Sequence, residues 1–199
     1  MESQWNQRYS ADGFAYGAAP NEFLVSVIDR LPRGPALSLA EGEGRNAVYL
    51  AKAGFDVTAV DQSEVGLAKA QAFARDQGVS IKTVQADLRD FVIKPDQWAA
   101  IVSIFCHLPE TVRASLHSRV SAGLRIRGMF VLEAYTPNQC GRGTGGPPTP
   151  DLTVSLADLQ NELAGLELLH GCELERHVNE GRYHTGLGSV VQLLASRIV

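Results

Sequence analysis

Cysteine, positive charge and long apolar runs are all scarce in this 199-residue sequence, and each shortage excludes a class of protein. Cys106, Cys140 and Cys172 are odd in number, widely spaced and outside any CxxC or Cys/His arrangement. They encode neither a disulfide framework nor a zinc site, and read as free thiols in a reducing compartment. Lys plus Arg total 18 against 22 Asp plus Glu, a net charge of −4. With no polybasic run to follow phosphates, nucleic acid is not an expected partner. No stretch reaches the roughly 18 apolar residues of a membrane span, and MESQWNQRYSADG lacks the apolar core of a signal peptide. The expectation is a cytoplasmic protein without a membrane partner.

What remains is an ordinary folded composition, 45% hydrophobic and 20% charged, in keeping with one domain over 1–199. Short apolar runs alternate with helical stretches. Strands are expected at Ala36–Leu39, Asp56–Val60, Ser80–Val84, Ala100–Phe105 and Met129–Tyr135, with helices at Arg45–Ala53, Glu64–Gln77 and Glu110–Leu124. Ser63 is the expected cap of the second helix, and Pro109 opens the third. This βαβαβ order predicts an α/β, doubly wound, mostly parallel sheet that binds its ligand beyond the carboxyl ends of the strands. TPNQCGRGTGGPPTP reads as an exposed, flexible loop over 138–150. After a short helix, Ser155–Leu163, two apolar runs, Leu166–Leu174 and Gly188–Ile198, flank the polar ERHVNEGRYH. They predict an antiparallel C-terminal hairpin, bringing the sheet to seven strands.

The chemistry concentrates in ALSLAEGEGRNAVYLA. Gly42 and Gly44 lie between a strand end and a helix start, where glycines let the backbone approach a ligand and free N–H groups attract an anion. An ordinary tight turn explains the same glycines. Asp61 ends the second strand, at a spacing suited to accepting both ribose hydroxyls of an adenosine cofactor; its alternative is a helix cap, a task Ser63 can do. Asp87, after the third strand, either accepts from an adenine amino group or caps a short turn.

Together these residues resemble the class I S-adenosylmethionine-dependent methyltransferases, in particular their small tellurite-resistance (TehB-like) group. The resemblance rests on WNQRY at 5–9, YGAAPNEFL at 16–24, GEGRNAVYLA at 42–51, VTAVDQS at 57–63, ADL at 86–88, FCHLP at 105–109 and GMFVLEAYTPNQ at 128–139. It implies a Rossmann-like methyltransferase fold with S-adenosyl-L-methionine as cofactor. Gly42 and Gly44 would flank the methionyl part, Asp61 would hold the ribose, Asp87 and Leu88 the adenine, Ile104 to His107 would border the methyl group, and Gln62 is a further cofactor-binding position. Two positions depart from the family. Ser38-Leu39-Ala40 lacks the usual first-strand acid, so that either Glu41 replaces its contact with the cofactor's ammonium or the contact runs through water. Arg127-Gly128 replaces a Gly-Gly pair, with Gly128 expected to supply the turn.

Two rival readings stand beside this one. GEGRNA tolerably matches the dinucleotide fingerprint of an NAD-dependent dehydrogenase, although no Tyr-x-x-x-Lys pair follows. A non-catalytic cofactor-binding regulator would keep Asp61 and Asp87 and lack groups near a reacting atom. For an enzyme, the expected acceptor is a small molecule, a chalcogen oxyanion or thiol, held by Arg45, His107 and the His177/Arg182/His184 turn. His107 has a plain alternative as a helix cap, and the turn as a solvated loop. Glu133 and Tyr135 end the fifth strand and are expected on alternate faces, so that at most one faces a given pocket. The arm 1–20, with Trp5, Tyr9, Phe14 and Tyr16, reads as a lid or as a segment packed on the core. Oligomeric state is not legible.

Overall fold

A computed structural model describes residues 4–198. Seven strands form one sheet: β1 (Pro35–Leu39), β2 (Asp56–Asp61), β3 (Lys82–Gln85), β4 (Trp98–Ile104), β5 (Leu124–Tyr135), β6 (Glu167–Glu180) and β7 (His184–Ser196). Their order is β3-β2-β1-β4-β5-β7-β6. The first five are parallel, and β7 pairs antiparallel with both β5 and β6. The expected doubly wound sheet with its C-terminal hairpin is therefore the observed one. Helices α3 (Arg45–Lys52), α4 (Glu64–Asp76) and α5 (Glu110–Gly123) provide the crossovers. Ser63 caps α4 by accepting from the Gly66 N–H. A short α6 (Leu156–Glu162) precedes the hairpin.

The central strands are buried on both faces, which is why they read as unbroken apolar runs. On one face Leu37, Leu39, Ile101 and Phe130 pack with Leu116, Val120 and Leu159; on the other Ala36, Val57, Val102 and Val131 pack with Leu24 and Leu50.

Three expectations need correction. The arm carries helices α1 (Gln4–Tyr9) and α2 (Glu22–Val27); each is six residues long, too short for a periodic signal. They form through packing: Tyr9, Phe23, Leu24 and Val27 are buried. Residues 1–3 of the arm lie outside the described ones. The polar ERHVNEGRYH is mostly strand, since β6 and β7 continue through it to a turn at 181–183. β6 is the sheet's edge, so its solvent face is polar: Glu175, His177 and Asn179 are exposed, and Val178 and Glu180 turn inward. Finally, Arg127, not Gly128, takes the left-handed conformation, at φ 64°. Gly128 is needed for space instead, because a Cβ there would meet the Trp98 carbonyl oxygen at 2.7 Å.

Candidate active site

β1 lies between β2 and β4, so the crossovers on its two sides diverge and leave a crevice at its carboxyl end. A cleft of about 580 Å³ occupies that crevice, within the range of small-molecule sites. Its floor includes Ala40, Glu41, Asp61 and Ile104; its roof is Trp5, Arg8, Tyr9 and Tyr16 from the arm and Gly146 to Pro148 from the Gly/Pro loop. Ala40 and Phe105, just past β1 and β4, hold left-handed φ values of 49° and 51°. Non-glycine residues in that region cost about 1–2 kcal/mol each, and such strain gathers at binding sites.

Asp61 is fixed by backbone donors: Oδ2 accepts from the Gly42 N–H and Oδ1 from the Ser63 N–H, each at 2.8 Å. Burial raises its pKa against the lowering effect of these bonds. The Gln62 backbone N–H also acts on the carboxylate, and the side chain lines the cleft with acceptor capacity left for a ligand. Capping the turn and facing a ligand are thus compatible. Gln62, Asp87, Leu88 and Ile104 line the same cleft. The Asp87 carboxylate is half exposed: Oδ1 accepts from the Arg89 N–H at 2.8 Å, capping the turn, and Oδ2 lies 3.6 Å from the exposed Arg89 guanidinium.

Gly42 and Gly44 make room for protein. A Cβ on Gly42 would lie 2.6 Å from the Tyr9 hydroxyl, and one on Gly44 would lie 2.8 Å from Ala70 on α4. Neither glycine lines the cleft. Glu41 does, but its carboxylate is engaged. Oε1 accepts the Asn46 and Ala47 N–H groups at 3.0 and 2.9 Å, in the first turn of α3, and Ser38 Oγ donates to Oε2. Glu41 therefore neutralises the start of its own helix through Oε1, and burial raises its pKa.

The expected basic cluster separates. Arg45 lines the cleft with its charge paired to Glu180, part of a buried network that includes Glu133, Arg176 and Asn21. Arg182 is exposed and outside the cleft: its N–H donates to the Ala15 carbonyl at 2.9 Å and its guanidinium to the Asp12 carbonyl at 3.2 Å. It secures the arm. His177 is on the exposed face of β6, so only His184 of that turn reaches the cleft. The same hairpin tip holds the Gly/Pro loop, since Thr185 N–H donates to the Thr144 carbonyl at 3.1 Å. The unforeseen cation is Arg8. It donates to the Tyr16 hydroxyl at 2.7 Å and lies over the rings of Trp5 and Tyr183, at 5.0 and 4.7 Å. Among the described residues no carboxylate is within ion-pair distance of it. Its place in WNQRY was the available signal.

Beside the cleft stands a ring cluster that the sequence showed only in fragments. Phe105 is 4.7 Å from both Tyr135 and His184; His107 stacks on Tyr135 at 5.6 Å, and Tyr16 is 4.7 Å from His184. Tyr135 and Glu133 are not on alternate faces as expected: two residues apart in β5, they share one, where Glu133 enters the ionic network and Tyr135 the ring cluster. Four buried side-chain polar atoms lack a partner among the described residues, and three belong here: His107 Nε2, Tyr135 Oη and His184 Nδ1. An unsatisfied buried group costs about 1–3 kcal/mol. Burial lowers the pKa of His107 to about 4 and that of His184 to about 2, so both are neutral near pH 7. Cys106, in the adjoining wall, is likewise kept protonated, with burial pushing its pKa up to about 12. Among the described residues no His/Cys/Asp/Glu group could hold a metal ion, and no helix is long and apolar enough to cross a membrane.

Comparison with known proteins agrees with this architecture. Residues 36–128 match the family model of the methyltransferase domain. Over 134 residues the chain is 28% identical to the glycine/sarcosine N-methyltransferase of Halorhodospira halochloris, covering 65% of this chain and 47% of that one. It thus spans about half the length of the curated relatives it matches. TehB from Haemophilus influenzae superposes with a TM-score of 0.75 at 19% identity, over 97% of this chain and 65% of that one. An S-adenosylmethionine-dependent methyltransferase from Clostridium acetobutylicum superposes with a TM-score of 0.67 at 15% identity, over 88% and 89% of the two chains.

Proposed function

We propose that this chain is a class I methyltransferase and transfers the methyl group of S-adenosyl-L-methionine to a small-molecule acceptor, a reading supported by its fold and its matched domain. The observation that carries the proposal is Asp61, locked by the Gly42 and Ser63 amides at the edge of a cleft in the sheet's switch point. The donor set suits this cofactor: Asp61 and Gln62 for ribose hydroxyls, Asp87 and Leu88 for adenine, and the unpaired Arg8 guanidinium for the carboxylate. When bound, the cofactor supplies a sulfonium-activated methyl group. The protein's task is then to orient an acceptor and exclude water. The arm and the Gly/Pro loop, both tied to the β6–β7 turn, do the excluding. We read 1–199 as one methyltransferase domain, with 1–20 and 138–150 as its lids.

The acceptor side departs from the oxyanion expectation. The charge of Arg45 is matched by Glu180, Arg182 faces away, and both imidazoles are neutral. A protonated thiol or another uncharged nucleophile suits these walls better than an oxyanion. Calorimetric titration with S-adenosylmethionine, S-adenosylhomocysteine and NAD tests the cofactor. Binding of the first two supports the proposal; tighter binding of NAD favours the dehydrogenase reading and overturns it.

A further inference from the structure

We propose that His107, Tyr135 and His184, under the Gly145–Gly146 segment, form the acceptor subsite, and that it takes an uncharged, flat molecule carrying both a hydrogen-bond donor and an acceptor. This rests on the methyltransferase reading and names its substrate class. The three unpartnered atoms come from three separate strand ends, yet their rings are in contact. Tyr135 is fully buried and His184 is 6% exposed, so water does not satisfy them freely.

Their hydrogen-bonding roles follow from their neighbours. His107 Nδ1 faces the Leu152 carbonyl at 3.2 Å, and a carbonyl only accepts, so Nδ1 carries the proton and Nε2 is a bare acceptor. The Tyr135 hydroxyl is a donor with no recipient. A ligand meeting both must offer one N–H, O–H or S–H group and one acceptor atom. The rings of Phe105 and Tyr16 supply flat walls. A carboxylate or oxyanion would set its charge against the His107 lone pair, with the nearby Arg45 already paired to Glu180 and Arg8, the other cation of the cleft, assigned to the cofactor's carboxylate.

The Gly/Pro loop closes this subsite. A Cβ on Gly145 would lie 2.2 Å from the Tyr183 carbonyl oxygen and 3.1 Å from His184, and one on Gly146 would lie 2.8 Å from the Tyr135 ring. The loop is thus a cover in direct contact with Tyr135 and His184, held by the Thr185–Thr144 bond. Lifting it opens Tyr135 beside the two imidazoles, which already line the cleft.

Benzamide and benzoate have the same shape and differ in charge and in the donor, which makes them the probes. Affinity for S-adenosylhomocysteine is measured first; benzamide, benzoate and selenite are then titrated into protein saturated with it, and also into the free protein. Benzamide is expected to bind at least tenfold more tightly than benzoate or selenite. Tyr135→Phe, which removes an already unpartnered hydroxyl, is expected to weaken benzamide about tenfold, with unchanged S-adenosylhomocysteine affinity and no loss of thermal stability. Preference for benzoate or selenite, no benzamide binding, or unchanged benzamide affinity in Tyr135→Phe overturns the subsite. Failure to bind S-adenosylhomocysteine, with the benzamide preference intact in the free protein, would instead overturn the methyltransferase reading and leave the pocket's ligand class supported.

Discussion

Asp61→Asn is the most direct test of the cofactor site, because the substitution keeps shape and removes charge. In the native protein both carboxylate oxygens accept a backbone N–H, at 2.8 Å each. Asparagine can present its oxygen to only one of these donors, and its amide then points N–H against N–H at the other. The ribose loses charge-assisted hydrogen bonds worth about 1.5–3 kcal/mol each. One such bond at the lower limit already corresponds to about a tenfold weaker Kd, and two bonds at the lower limit to about 150-fold. Asp61 is buried, with its pKa raised by that burial, so removing the charge also relieves a desolvation cost and offsets part of the stability lost with the cap. Affinity should therefore fall much further than stability. Calorimetry with S-adenosylhomocysteine gives the first quantity and chemical denaturation the second. A folded Asp61→Asn protein that binds S-adenosylhomocysteine like the wild type would refute the assignment of the ribose to Asp61.

Arg8→Ala should weaken S-adenosylmethionine binding about tenfold or more by the same calorimetry, whereas Arg182→Ala, outside the cleft, should change affinity less than threefold. Arg45→Ala leaves the buried Glu180 with Arg176 and Asn21 as its remaining partners and should cost about 1–3 kcal/mol, read as a lower denaturation midpoint. Lowering pH should destabilise the fold through the imidazoles. Both are neutral when folded but bind protons when unfolded, so the stability they contribute is complete above about pH 6.5 and is lost as pH falls toward about 4 for His107 and about 2 for His184. Glu41 and Asp61, with raised pKa values, act in the opposite sense, so the measurement is the flattening of the pH–stability slope in His107→Gln and His184→Gln relative to wild type. Arg127→Gly should raise stability by up to about 1 kcal/mol, by relieving φ 64° at an exposed position. Unchanged or lower stability would show that the turn is not strained.

The legible part of this protein is the part in which one segment carries its own signal. β1, β2 and β4 are buried on both faces, so each spells itself as an apolar run, and the turn that follows brings Glu41, Asp61 and the Phe105–His107 segment to the same rim. Pairings between distant segments were hidden, and they decide what the rim can do. Arg45 reads as a free cation at a helix start until Glu180, far along the chain, is laid against it. Arg182 reads as a substrate ligand until Ala15 and Asp12 are seen to occupy it. Alternation in LERHVNE does encode an edge strand, but with polar side chains outward and Arg176 and Glu180 turned into an ionic network, it imitates a loop. The same blindness covers the ring cluster. Phe105 with His107, Tyr135, and His184 come from three separate segments, and nothing in any one of them shows that their polar atoms lack partners. Satisfied histidines and a satisfied tyrosine would leave the same letters in the sequence. It is their common failure to find partners, under a loop whose glycines leave no side chain to fill the space, that turns a packed corner into a place for a ligand.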